Sequence, residues 1–330
     1  LKYIQLNDFG TPHQVCSVET EAEPGAPAAN EVTVRMLACP INPAEMLIFA
    51  GRYASKPDLP YRPGIEGAGE IIAVGSDVSN LATGDRVISL GRNNWAQQIN
   101  LPEQSVIRVS ADADPLQLGM LKVNPATAWL MLKRFVELQP GDWLIQNAAN
   151  SGVGHAVIQL AGKEGIRTIN VVRRPWLVDD LKNKGADVVL IDDEDLGAQA
   201  RSAVGDGKIR LAIDAVAGIG TLRLADALED NSVVVNYGFL SGNPCQLDPS
   251  HLVFKDISLR GFWLAKLMGE MKREELTSLY DSLSNYVSDG TLHTPVEETY
   301  ALDDVQAAVE HAVREGRGGK ILLTPNPELL

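Results

Sequence analysis

The sequence predicts an α/β protein of two domains, a compact irregular β domain and a doubly wound parallel sheet. Three observations predict it. Residues 1–120 are dense in short β signals and turn residues, with little helical periodicity beyond a short piece after Pro43. From about Asn124 the texture changes, and apolar strands alternate with helical patterns. Beyond about residue 265 a tail remains that is too small for a domain of its own. The expected division is therefore 1–120 with 265–330, and 121–264 between them.

The bulk properties fit. At 330 residues the chain has room for two cores, and its composition is ordinary for a soluble α/β protein. A formal charge of −14 argues against general affinity for nucleic acid or an anionic membrane. Cys16, Cys39 and Cys245 lie far apart and form no CxxC, which suits a reducing compartment and a cytoplasmic location. No apolar run approaches the length of a membrane span, and no signal peptide is visible. Because the chain begins at Leu1, a mitochondrial location reached by loss of a transit peptide is the alternative.

Each element has its own signal. In the first domain "EVTVRMLACPI" alternates and then runs apolar, while "GAGEIIAVGS" and "GDRVISLG" are strands bounded by glycine. "NPATAWLMLKRFVEL" has helical spacing, with Asn124 at the N-cap and Pro125 in the first turn. The strand "DWLIQNA" precedes a helix from Gly152 to Lys163, and "RTINVV" precedes a helix closed by Gly185. "DVVLID", "IRLAIDAV" and "SVVVNYG" follow as strands, with a helix at "GTLRLADAL". Such unbroken apolar runs suit a parallel sheet covered on both faces. After "ISLRGFWL" a long helix is expected over about 269–288, and another from Asp303 to Gly316. The strand "GKILLT" then returns to the first domain.

The stretch "QNAANSGVGHAVIQLA" holds the chemistry of the second domain. In a dinucleotide fold the first strand ends in G-x-G-x-x-G, and the pyrophosphate rests on the next helix's N-terminus. Alignment on Gly154 puts Ala149 and Ser151 at the first two glycine positions. The fingerprint is degraded, but its strand–turn–helix–strand context is intact. Both substitutes are small, and Ser151 brings a hydroxyl within reach of a phosphate. At the end of the second strand, where an acid would bind the ribose of NAD, the chain reads Val172-Arg173-Arg174-Pro175. Two arginines match a phosphate, so the expected cofactor is NADP(H). The other reading is two cations capping a strand end in water.

These residues resemble the medium-chain dehydrogenase/reductase superfamily from end to end, and within it the zinc-independent 2-enoyl thioester reductases of the mitochondrial type. The motifs that carry the resemblance are "INPAEMLIFAGRY", "PGIEGAGEIIAVGS", "GDRVI", "VNPATAWLML", "QNAANSGVGHAVIQLA", "TINVVRRP", "VNYGFLSG" and "LRGFWL". The resemblance implies a GroES-like β-rich catalytic domain and a Rossmann domain. It implies NADPH-dependent reduction of an enoyl-CoA or enoyl-ACP, with Tyr53 of Gly51-Arg52-Tyr53 at the catalytic position. Nucleotide contacts are implied at Asn124, at Asn150, Ser151, Gly152 and Val153, and at Arg173 with Arg174. They are also implied at Tyr237, Gly238, Phe239 and Leu240, at Phe262, Trp263 and Leu264 (extending to Ala265), and at Lys320. Pro175 departs from the family, which commonly continues with polar or basic residues.

The superfamily's zinc enzymes hold their metal with Cys and His. Here Asn42 stands in the cysteine's place, with Cys39 three residues early, and Ile65 of Gly64-Ile65-Glu66 replaces the histidine. No four-cysteine lobe exists, so no metal is expected, and Cys39 reads as a small buried hydrophobe. His13, His251, His293 and His311 show no ligand spacing, and His155 reads as structural.

Reduction of a C=C bond conjugated to a thioester needs hydride at the β-carbon and a proton at the α-carbon. Phenols titrate near pH 10, so a tyrosine stays protonated and is able to donate. Asn42 is expected near the reacting carbonyl, orienting Tyr53 or substrate. Trp263 walls an acyl pocket or fills a core, and Trp95 packs a domain or lines a cleft. Arg52, Lys56, Arg62, Lys266, Lys272 and Arg273 are candidates for a basic patch that meets an acidic thioester partner. The apolar strands "SVVVNYGF" and "ISLRGFWL" permit a homodimer joined along sheet edges. A zinc-independent quinone or enone reductase is the alternative activity, and a non-catalytic NADPH-binding protein a third reading.

Overall fold

A computed structural model describes all of residues 1–330. The chain forms two compact units, Leu1–Val123 with Lys272–Leu330, and Asn124–Met271. The second crossover falls at Met271 rather than near residue 264. The helix Leu264–Glu270 starts directly from the last strand of the second unit and stays with it.

The first unit begins with the paired strands β1 (Lys2–Leu6) and β2 (Cys16–Thr20). Its main sheet is built around β3 (Glu31–Pro40), followed by β4 (Ala68–Val74), β5 (Arg86–Ser89), β6 (Gln98–Pro102) and β7 (Val106–Arg108). β3 pairs with β4 from Val32 to Ala38 and with β6 from Glu31 to Arg35. Alternation puts Val32, Val34 and Met36 in a core with Ile71, Val87, Ile99 and Trp95.

The second unit is a six-stranded parallel sheet. In chain order its strands are β8 (Trp143–Gln146), β9 (Arg167–Val172), β10 (Val188–Ile191), β11 (Ile209–Asp214), β12 (Val233–Asn236) and β13 (Ser258–Gly261). They lie in the order β10-β9-β8-β11-β12-β13, which is the dinucleotide-binding order with its switch point between β8 and β11. Buried Val, Ile and Leu fill the central strands β8, β9, β11 and β12 because helices cover the faces. No helix in the chain is long and apolar enough to cross a membrane.

The C-terminal return adds β14 (Val296–Tyr300) and β15 (Lys320–Leu323) to the first unit's sheet. β15 runs antiparallel to the end of β3, with Leu322 opposite Pro40 and Leu323 opposite Cys39. Three helical expectations change. Asn124 is the first helical residue of Asn124–Arg134 rather than its cap. The stretch over 269–288 is broken at Met271, giving Leu264–Glu270 and Arg273–Ser288. The helix expected from Asp303 to Gly316 is only Val305–Ala312, entered through a 3₁₀ turn at Leu302–Asp304. Its last turn unwinds into a loop in which Gly316 takes φ 82°.

Candidate active site

In the first unit the site grows from the end of β3. Pro40 ends the strand, Ile41 is buried, and Asn42 precedes the short helix Pro43–Phe49 with Pro43 at its first position. The register of β15 on β3, continued two residues, brings Lys320 opposite Asn42. The Lys320 ammonium donates to Asn42 Oδ1 at 2.5 Å and to the Ile41 carbonyl at 3.1 Å. On the other side of the amide, Asn42 Nδ2 donates to Glu66 Oε1 at 2.7 Å, and the second Glu66 oxygen accepts from Val123 N–H at 2.8 Å. Glu45 lies next to them and accepts from the backbone N–H groups of Asn42 at 2.7 Å and Ile65 at 2.9 Å. Asn42 is 3 % exposed, Glu45 and Glu66 are 0 %, and Lys320 is 9 %.

Burial sets the protonation of this cluster. It raises Glu66 above the usual carboxylate range, against the opposing pull of the Lys320 charge. It lowers Lys320 in turn. Burial brings Glu45 up to about 7. Lys122 is a second buried lysine, brought down to about 8 by burial, and it donates to three backbone carbonyls.

The residues standing at the zinc enzymes' ligand positions do not fit a metal. Asn42 offers an amide already bonded at both ends, Ile65 offers nothing, and both Glu66 oxygens are taken. A lysine ammonium already supplies the positive charge. No group of three or more His, Cys, Asp and Glu side chains is placed to hold an ion. Cys39 is fully buried, donates its thiol to the Asn94 carbonyl at 3.1 Å, and is held well up by burial.

Tyr53 follows the same short helix. Its N–H bonds to the Leu47 carbonyl at 3.1 Å, fixing its place just past the helix end. The half-buried ring packs on the core, with the Arg92 guanidinium 5.8 Å from its centroid. Asn42 and Tyr53 thus lie at the two ends of one short helix. Asn42, expected near the reacting carbonyl and orienting Tyr53 or substrate, has its side chain bonded to Glu66 and Lys320, bridging them. Lys320, expected among the nucleotide contacts, has its ammonium on that bridge.

The second unit holds the other expected nucleotide residues at the carboxyl ends of its strands, where a parallel sheet binds ligands. After β8 the turn has Ala148 at φ 47°, a conformation L-residues rarely adopt. Ser151 then caps the helix Gly152–Lys163 by accepting from Gly154 N–H at 3.1 Å. Its side chain is also hydrogen-bonded to Tyr237, whose hydroxyl burial pushes up. The Ser151 hydroxyl, expected free for a phosphate, is therefore engaged as a cap and a tie. A Cβ on Gly152 would lie 2.5 Å from Asn124 Nδ2, and one on Gly154 would lie 2.3 Å from the Ala149 carbonyl. The backbone approach at Gly154 explains why that fingerprint glycine remains while the first two positions are Ala and Ser, and Gly152 leaves room for the Asn124 amide. Asn150 is half-buried and Val153 is buried. Arg173 and Arg174 follow β9 with no acid paired to them, and Arg174 lies over the Trp176 ring. That leaves both cations available to a phosphate.

Beyond β12, Asn236 Nδ2 donates to the Gly238 carbonyl, and Phe239 and Leu240 are exposed. Beyond β13, Phe262 packs on Phe135, and Leu264 is half-buried. Trp263 is 46 % exposed, too open for a core tryptophan. Trp95 is fully buried against Phe49 in the first unit's core. Of the cations expected in a basic patch, Arg62 is held by Glu21, and Arg273 by the carbonyls of Gln104 and Val106. Sequence reasoning missed Glu45, Glu66, Lys122 and Arg92. Glu66 was visible beside Ile65, but only the strand register reveals what it meets.

Comparison with known proteins gives consistent findings. The family described as "Alcohol dehydrogenase GroES-like domain" matches residues 28–110, and "Zinc-binding dehydrogenase" matches residues 152–283. The mitochondrial enoyl-[acyl-carrier-protein] reductase of Rattus norvegicus is 39 % identical over 98 % of this chain and 88 % of its own. Among solved structures, the mitochondrial 2-enoyl thioester reductase Etr1p of Candida tropicalis has been solved in complex with NADP and crotonyl-CoA. That complex superposes with TM-score 0.88 at 29 % identity, covering 98 % of this chain and 99 % of the other. The quinone oxidoreductase of Escherichia coli complexed with NADPH gives TM-score 0.86 at 27 % identity, covering 98 % and 100 %.

The raised Glu45 predicts a pH signature. Its folded pKa of about 7 lies above the ordinary 4.5, so its contribution to stability is present below about pH 4.5 and is lost as pH rises through about 7. Denaturant unfolding of the protein and of Glu45→Gln should show the stability gap moving against the parent across that window. Two parallel curves would remove Glu45 from the linkage.

Proposed function

The chain belongs to the medium-chain dehydrogenase/reductase superfamily, among the mitochondrial-type enoyl thioester reductases, and on that premise we propose that it reduces a trans-2-enoyl thioester, enoyl-CoA or enoyl-ACP, to the saturated acyl thioester. It is an NADP(H)-dependent oxidoreductase acting on C=C bonds. The observation that carries the finer reading is the neutral bridge at the metal position. Where a zinc enzyme polarises an alcohol oxygen, this chain has an amide locked between a carboxylate and an ammonium, and a phenol stands at the far end of the adjoining helix.

The residues divide the work. Arg173 and Arg174 would hold the cofactor's 2′-phosphate, and the N-terminus of the helix Gly152–Lys163 would receive its pyrophosphate. Bound reduced nicotinamide supplies a hydride. When hydride reaches the β-carbon, the C=C electron pair shifts and the thioester oxygen takes the charge of an enolate. Tyr53 then gives its hydroxyl proton to the α-carbon, the C=O re-forms, and the tyrosinate regains a proton from water. Asn42, Glu66 and Lys320 fix the start of the helix Pro43–Phe49, which Tyr53 follows.

The likeness to quinone oxidoreductase favours a second reading, in which a simple quinone or enone is the substrate. NADPH oxidation with crotonyl-CoA, longer enoyl-CoAs and a simple quinone separates the two. The thioesters should turn over, and activity with the quinone alone would reverse the choice. Tyr53→Phe should lower kcat about 10²-fold or more with NADPH binding little changed; undiminished turnover would take Tyr53 out of the mechanism. Arg173→Ala combined with Arg174→Ala should raise the KM for NADPH about tenfold or more and leave that for NADH alone.

We further propose a homodimer joined along β13, an edge strand exposed throughout, Leu259 included, with Val253 and Phe254 just before it in the chain. Light scattering should give twice 35.6 kDa, and a single-chain mass would refute it.

A further inference from the structure

The turn Leu90–Asn94 is fixed from beneath with unusual thoroughness. Lys122 Nζ donates to the carbonyls of Leu90 and Gly91, both at 2.8 Å, and to that of Ile65 at 2.5 Å. Asn94 Nδ2 donates to the Gly91 carbonyl at 3.1 Å. The Tyr61 hydroxyl donates to the Arg92 carbonyl at 3.1 Å. Three consecutive carbonyls are thus tied down. A buried ammonium is costly, and this one makes its hydrogen bonds to carbonyl oxygens alone.

What that fixed turn offers is Arg92. The side chain is half-buried in a chain of net charge −14, yet its guanidinium pairs with no carboxylate. Its guanidinium lies 5.8 Å from the Tyr53 ring centroid, within electrostatic reach of the Lys122 ammonium and the Tyr61 hydroxyl. Other cations of the first unit are committed: Arg62 to Glu21, Arg273 to two carbonyls, Lys320 to Asn42. Contact with an aromatic face leaves the in-plane N–H donors of a guanidinium free. A rigid, partly desolvated donor beside a phenol is what an oxygen acquiring negative charge requires.

We propose that Arg92 is a catalytic residue whose guanidinium receives the substrate's thioester carbonyl oxygen beside Tyr53 and holds the charge that oxygen carries as an enolate. The charge arises when hydride reaches the β-carbon. It disappears when the α-carbon takes the proton from Tyr53. Arg92 neither gains nor loses a proton. Lys122, Asn94 and Tyr61 are positioning residues that act through the turn.

This rests on the thioester reading above, so the test begins with the parent protein, NADPH and crotonyl-CoA. Absence of turnover there sinks that reading, and this assignment with it, before any variant is made. With turnover present, kcat, KM and NADPH affinity are measured for Arg92→Met, Arg92→Lys and Arg92→Ala, the last with added guanidinium salt. The assignment predicts that Arg92→Met lowers kcat about 10²-fold with NADPH affinity unchanged. Arg92→Lys should keep part of the activity, or free guanidinium should restore part of it to Arg92→Ala. A kcat for Arg92→Met within about twofold of the parent overturns it. So does a loss that neither the lysine nor free guanidinium recovers, which marks a collapsed turn.

Discussion

The structure of the first unit depends on one bridge: the Asn42 amide held between the Glu66 carboxylate and the Lys320 ammonium. Each charge alone would be intolerable in this interior, because removing one partner of a buried pair leaves the other uncompensated. Together, through a neutral amide that satisfies both, they permit a polar centre inside an apolar sheet. The bridge also joins three distant pieces of chain, the end of β3, the segment entering β4, and the first residue of β15. It ties the C-terminal return to the N-terminal half, alongside the pairing of β15 with β3.

That constraint passes outward to the chemistry. Asn42 starts the helix Pro43–Phe49, and Tyr53 is tied by its own N–H to that helix's end. A position that in zinc relatives would hold a cation directly here holds a lysine, and in the proposed mechanism the reactive group is the phenol. In the second unit the same economy of space appears at Gly152 and Gly154. There Asn124 and the Ala149 carbonyl come closer than any side chain would allow. Two of the three fingerprint glycines are lost, and the third, Gly154, survives where the Ala149 backbone comes closest.

Much of this was legible in the sequence, for stated reasons. The helix Gly152–Lys163 and the strand Arg167–Val172 were readable to the residue, because buried parallel strands and a helix between them leave unbroken apolar runs. The return of the C-terminal strand was readable from the small size of the tail. Lys320 beside Asn42 was not readable, since it follows from an antiparallel register between residues 278 apart. Glu45 and Glu66 look like ordinary acids in the sequence, and burial is what sets them apart. Arg92 was invisible because its distinction is the lack of an acidic partner. The break at Met271 and the short helix Val305–Ala312 show periodicity overrunning the true ends, where loop geometry decides.

A double-mutant cycle on the bridge tests the central claim most directly. Urea unfolding at neutral pH is measured for the parent, Glu66→Gln, Lys320→Met and the pair. Each single change should cost about 3–5 kcal/mol, and the double change clearly less than their sum, with a coupling above about 1 kcal/mol. Additive losses would mean that the two charges do not depend on each other, and the bridge would not be what orders this site.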